Sequence, residues 1–287
     1  MLDAARIAFL VVHLLTNSMA GGAPLAAAVL PLSSDVRRRL AGIGLLALLL
    51  GLLAGGLSTL LVLAGAWPAY ESAAARLPSR AYLMLGGEWA FSAILMLVYW
   101  MSWSRLAGRR VLHGLIGVVA STNLLYHFPT MMVVLRLLAE DPGLAGPAVV
   151  SRDVFLDVLW RPLPLGLTAH FWGLSALLAG LVVRRLALAG EGIPRDARVG
   201  ALVALVGAVG LFLSGVWCLL SAEGLTARSL LSMDSLSGLL FAGGVACALW
   251  LLARLMAEAC TRRVAGDGPL TGAVLAALLM TAAARML

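Results

Sequence analysis

The sequence predicts an all-α protein, a polytopic transmembrane bundle of about eight helices. Three observations carry this expectation. The chain of 287 residues is 62% hydrophobic and only 12% charged, against roughly 25% charged in a soluble domain, and its mean hydropathy is +0.99. Apolar runs recur along its whole length, each about the 20 residues that a helix needs to cross a hydrocarbon layer. The runs are too long and too uniformly apolar for the alternating strands of about 10 residues in a membrane barrel. A backbone in lipid must also pair its own N–H and C=O groups. A single integral membrane domain over residues 1–287 follows.

The first run, near 7–30, contains Ser18-Met19-Ala20, which has the small-residue pattern of a signal cleavage site. The apolar character continues past it to Leu30, so the run reads as a retained helix. Further helices are expected near 40–66, 81–103 and 111–138. The fifth, near 163–187, opens on Pro162 and Pro164, which suit a helix's first turn. Helices near 199–222, 235–257 and 269–285 complete the set, the last being the shortest. The segment from Glu140 to Arg161 is expected as the longest outer loop.

Arginine sets the orientation. All 21 basic residues are arginine. The loops after the first, third, fifth and seventh helices hold thirteen of them, and the rest of the chain holds eight. The richer side is expected inside, which places the N-terminus outside. The charges lie between apolar runs, so the net charge of +7 reads as an orientation signal and not as a nucleic-acid surface. The expected location is a bacterial cytoplasmic (inner) membrane, multi-pass, with lipid as the surrounding partner and no nucleic acid. Cys218, Cys247 and Cys260 form no close pair, which argues against a metal knuckle, a disulfide framework or covalent haem attachment.

Ionisable groups at membrane depth are costly and mark candidate sites. At 1.5 Å per residue, His13 lies roughly 9 Å from the outer end of the first helix, and Glu88 and His170 lie roughly 11 Å in on the third and fifth. His127 lies roughly 16 Å from the outer end of the fourth. Met233 opens the seventh from the same side. His113 stands apart near the inner face and reads as interfacial. Imidazole and thioether are common axial ligands of haem iron, so His170 with Met233 is a candidate haem site, with His127 as a substitute. His13 with Glu88 is a second. Each residue also has a plainer reading, as a hydrogen bond between helices or as core packing. Gly166 and Gly173, on roughly the His170 face, read as clearance for a flat macrocycle. His113 and His127 are 14 apart on one helix, half of a two-haem four-helix pattern, but no other helix carries a matching pair.

The order of these residues resembles subunit I of cytochrome bd-type quinol oxidases. Leu2-Asp3-Ala4-Ala5-Arg6 followed by His13 and Gly22 is similar to that family's first helix. Trp103-Ser104-Arg105-Leu106 looks like a degraded Gly-Trp-Asp-Arg-Leu, and Ala120-Ser121-Thr122-Asn123-Leu124 resembles its Gly-Ser-Asn-Leu stretch. Arg161-Pro162 through Thr168-Ala169-His170 and Gly173 resembles its fifth helix. The resemblance implies His13 as an axial ligand of a high-spin haem b, and His170 with Met233 around a low-spin haem b. Departures are definite. About a dozen residues replace the family's long quinol loop, Glu88 stands where the family has two acids, and Ser104 replaces an aspartate. The expectation is an electron-transfer subunit of a respiratory-type complex carrying haem b, one to three in number, with quinone as a further candidate. It would work with other membrane subunits and an outer-face redox protein such as a c-type cytochrome. The alternatives are a bd-like terminal oxidase subunit, with Glu88 as catalytic candidate, and a haem-free structural or transport subunit.

Overall fold

The computed structural model describes residues 2–66, 68–106, 108–140, 144, 149–221, 230–232, 234–261 and 268–285. Among these the regular structure is helical and no strand is present. The chain is an all-α polytopic bundle. Its long helices are α1 (Leu2–Val29), α2 (Ser34–Leu61), α4 (Ser79–Met101), α5 (Arg110–Glu140), α7 (Pro162–Leu186), α8 (Pro194–Ser221) and α9 (Leu236–Thr261). All seven are long and apolar enough to cross a membrane. The expected eighth is α10 (Gly268–Arg285), whose apolar stretch Gly268–Ala283 is shorter.

Two short helices, α3 (Pro68–Ala75) and α6 (Arg152–Leu159), occupy segments expected as loops. A search for runs of about 20 apolar residues passes over helices of 8 residues. Ser151 caps α6 by accepting the Val154 N–H. The two pack with the end of α5 into a small separate core that includes Ala73, Leu77, Val134, Leu138 and Val158. Val150 N–H donates to the Arg76 carbonyl, tying the two connecting segments together.

The long helices form two linked groups. Helix α1 packs on α2 and α5, and α4 closes the ring by packing on both of those. In the second group α7 packs on α8, α8 on α9, α9 on α10 and α10 back on α7. Helices α1 and α7 meet between the groups. The seams are made by small residues, because lipid supplies no hydrophobic drive between helices and close backbone approach must replace it. On α1 the buried stripe is Ala20, Ala23, Ala26 and Ala27. Along α7 and α8 the approach is closer: a Cβ added at Gly207 would meet the Leu177 backbone nitrogen, and one at Gly180 the Ala204 nitrogen, both at 2.3 Å. Large apolar side chains point away from the seams, such as Leu83 at 77% and Val206 at 70% exposure. In water such a surface would drive association; in hydrocarbon it is the expected outer face.

The end of the bundle where α1 stops is tied by polar groups. Asp196 is fully buried and accepts from the Ile193 N–H at 3.1 Å, closing the first turn of α8 as a capping box does. It also accepts from the Ser33 N–H and hydroxyl in the α1–α2 turn. Glu191 pairs with Arg39 at 3.0 Å. Gly190, at φ +83°, makes the left-handed step that ends the π-helical turn Ala187–Glu191. His113, expected to be interfacial, is 4% exposed. Its Nε2 pairs with the Tyr99 carbonyl oxygen at 2.8 Å, and its ring packs against Tyr99 and Trp103. A ring packed against two aromatics, tilted to one and edge-on to the other, gains more from burial than from hydration, provided one nitrogen is bonded.

Candidate functional site

His170 lies in the seam between α7 and α8. Its Nδ1 is 3.2 Å from the Ser214 hydroxyl oxygen. That hydroxyl has one proton, and it is directed to the Gly210 carbonyl at 2.7 Å, with Leu211 O at 3.2 Å. With the hydroxyl proton engaged by those carbonyls, the Ser214 oxygen is placed to accept from Nδ1. Gly215 runs beside the ring edge, where an added Cβ would sit 3.6 Å from Cε1.

His13, on α1, repeats the arrangement with a backbone acceptor. Its Nδ1 is 2.7 Å from the Gly51 carbonyl oxygen on α2, so Nδ1 is again the protonated nitrogen. Gly55, one turn further along α2, lies against the ring; a Cβ there would come within 2.5 Å of Cε1. The amide nitrogen of Asn17 is 3.1 Å from Nδ1 and 3.0 Å from Nε2. An atom equally far from both nitrogens and lying in the ring plane would collide with Cε1, so Asn17 sits over the ring face. The in-plane lone pair of Nε2 is left clear of it.

Glu88 and His127 belong to the facing pair α4 and α5. Asn123 donates to the Glu88 backbone carbonyl at 2.9 Å and to the Ser92 hydroxyl at 2.8 Å, locking α4 to α5 at this depth. The half-buried Glu88 carboxylate has no hydrogen bond or ion pair among the described residues. His127 is half-buried, and its ring stands edge-on to Tyr126 at 5.0 Å.

Contacts between the helices set the relative levels of these residues. Gly22 of α1 lies against the Ser175 backbone of α7, and Gly21 lies against Leu125 of α5. Trp172 of α7 reaches the same Leu125. His170, five residues before Ser175, and His127, two residues beyond Leu125, therefore lie within about two turns of His13 along the bundle axis. No hydrogen bond, ion pair or ring contact joins any two of the His13, His170, His127 and Glu88 side chains. Met233 falls outside the described residues.

Two sequence expectations need correction. Gly166 and Gly173 do not open space beside His170: the Cβ positions they leave vacant are filled by Cys218 Sγ at 3.0 Å and Leu211 N at 2.9 Å. Their small size serves the α7–α8 seam. Arg184, counted among the orienting loop arginines, is 2% exposed and forms a bidentate pair with Glu258 of α9. One signal for that pair was present: Glu258 is an acid inside an apolar run, four residues after Arg254 on the same helix face.

His170 and His13 each have Nδ1 held by an oxygen of the neighbouring helix, the kind of outer partner that orients metal-ligating histidines. Among the described residues no three His, Cys, Asp or Glu side chains converge to hold a bare metal ion. A haem supplies four of its own ligands and asks only one or two from the protein. No family model, curated protein or solved structure matches the chain.

Proposed function

We propose that the chain is a membrane-embedded b-type haem subunit that passes electrons between a quinone pool and a redox partner at the end of the bundle where α1 begins. The observation that carries the reading is the His170–Ser214 pair, which holds Nδ1 within an apolar helix seam and makes Nε2 the candidate ligand atom. His13, held by Gly51, is the second candidate axial ligand, and Met233 and His127 are the candidate partners. When bound, haem supplies a reversible one-electron couple.

The protein's own contribution is physical. The α7–α8 seam holds His170 in one orientation, since the Ser214 hydroxyl is itself anchored on the Gly210 carbonyl. The apolar helices around it exclude water and lower the local dielectric, which together with the axial ligand sets a haem potential. Glu88, half-buried and without a charged partner among the described residues, could take up a proton on the side of the bundle that holds the histidines. The resemblance to cytochrome bd subunit I supports the same residues.

The test is a reduced-minus-oxidised spectrum of the purified protein with haem extraction. The expected result is a sharp low-spin α band that His170→Ala abolishes. His13→Ala should remove a separate haem equivalent and leave that band largely intact. A colourless wild-type protein from haem-replete cells, or an unchanged band in His170→Ala, overturns the proposal.

A further inference from the structure

At the opposite end of the bundle, where α1 stops and α5 starts, two adjoining hollows share Arg110, Val111 and Leu115. The wall is apolar: Ala28 and Leu30 on the α1 side, Leu115 and Val118 along α5. Gly114 keeps this channel open, because a Cβ there would meet only the Ala28 carbonyl oxygen, at 3.6 Å. The rim is basic, formed by Arg37, Arg109 and Arg110, and no carboxylate lines either hollow.

The arginines differ in what they are free to do. Arg37 is anchored, its Nε donating to the Ala27 carbonyl at 2.8 Å and its guanidinium standing 5.5 Å from the Trp103 ring centre. That fixes one positive charge at the mouth of the channel. Arg109 and Arg110 are exposed, and their side chains have no hydrogen bond or ion pair among the described residues. Val111 at 79% and Leu115 at 53% exposure continue the apolar wall toward the hydrocarbon. A fixed charge, two free charges and an apolar furrow running along the helices match one chemistry, an anionic headgroup attached to an acyl chain. Basic pockets between membrane helices at a bilayer surface recognise such lipids.

We infer that this groove is a binding site for one anionic phospholipid, its phosphate held by Arg37, Arg109 and Arg110 and an acyl chain lying over Gly114 between Leu30, Leu115 and Val118. The site is independent of any haem.

The experiment is native mass spectrometry of the detergent-purified protein with phosphatidylglycerol or phosphatidylcholine of identical acyl chains. The wild type is expected to retain phosphatidylglycerol preferentially. Arg109→Gln with Arg110→Gln should reduce that preference on the order of 10- to 30-fold, since each charge near a headgroup contributes roughly fivefold. Gly114→Leu tests the groove with every arginine in place and should abolish the preference by filling the channel. A preference that survives Gly114→Leu means that charge alone attracts lipid, and it overturns the site; so does one that survives loss of both arginines. In the unmodified protein, a photoactivatable phosphatidylglycerol should label residues 108–118, and labelling elsewhere overturns the proposal without any variant.

Discussion

The indole Nε1 of Trp172 donates to the backbone carbonyl of Leu125 at 2.8 Å, and the reason that carbonyl is available lies four residues further along α5. Pro129 sits inside α5 and has no N–H, so Leu125 O loses the helical donor it would otherwise have. An orphan carbonyl at membrane depth is expensive. Trp172, from α7, takes the bond and joins the two groups of helices. Trp172→Phe should therefore destabilise the protein by about 0.6 to 1 kcal/mol beyond its packing loss. In a Pro129→Ala background the helix can supply the donor itself, so the same substitution should cost less. A double-mutant cycle by thermal unfolding in detergent checks this; equal costs in both backgrounds sink it.

Arg184 and Glu258 form the most enclosed charge pair described. The bonds are Nε to Oε2 at 2.9 Å and Nη2 to Oε1 at 2.7 Å, with 2% and 4% exposure. Arg254 adds a looser contact to Glu258 at 3.7 Å. Desolvation offsets most of the attraction in such a pair, but removing one partner takes the nearest counter-charge from a buried group, a loss of up to about 3 to 5 kcal/mol. Glu258→Leu and Arg184→Leu should each lower the thermal midpoint strongly. The double replacement should recover a large part of the loss. Additive losses would show that each residue acts through separate contacts.

The glycines divide into two kinds that sequence cannot tell apart. At Gly207 a Cβ meets backbone at 2.3 Å, whereas at Gly87 nothing lies within 4 Å. Gly207→Val should force α7 and α8 apart at a cost of at least about 1 to 3 kcal/mol. Gly87→Ala should be neutral or should stabilise by about 0.5 to 1 kcal/mol through helix propensity. Thermal midpoints of the two variants decide it, and comparable losses at both positions would mean that the exposed face of α4 is covered in the membrane.

The seven long helices were legible because hydrocarbon thickness imposes one length on each, and composition alone reports it. The short helices α3 and α6 were not, since they follow no such length rule and gain stability only from packing on α5. For the candidate residues, counting along helices gave a common expected depth, and the contacts of Gly21, Gly22 and Trp172 relate the levels of α1, α5 and α7 to one another. Pairing was not legible. Arg184 and Glu258 are 74 residues apart, and Ser214 meets His170 across a seam whose register is set by the glycines of both helices. Gly173 and Gly166 were misread for the same reason: a missing side chain can admit a cofactor or another backbone, and only the neighbouring helix decides which.

Ser214 offers the sharpest test of the His170 assignment, because it touches no iron and acts only by holding the ring. Its hydroxyl lies 3.2 Å from Nδ1 and donates to Gly210, so Ser214→Ala frees His170 to rotate. Loss of such an outer partner typically weakens a metal site by about 10- to 100-fold. Ser214→Ala should therefore lower haem retention and change the midpoint potential of the low-spin band, while Ser214→Thr, which keeps the hydroxyl, should restore both. The thermal midpoint separates this from a purely structural role, since Ser214 also bonds its own helix. A variant with wild-type haem content and potential, whatever its stability, would remove Ser214 as a positioning residue and leave His170 as a histidine that only bridges two helices.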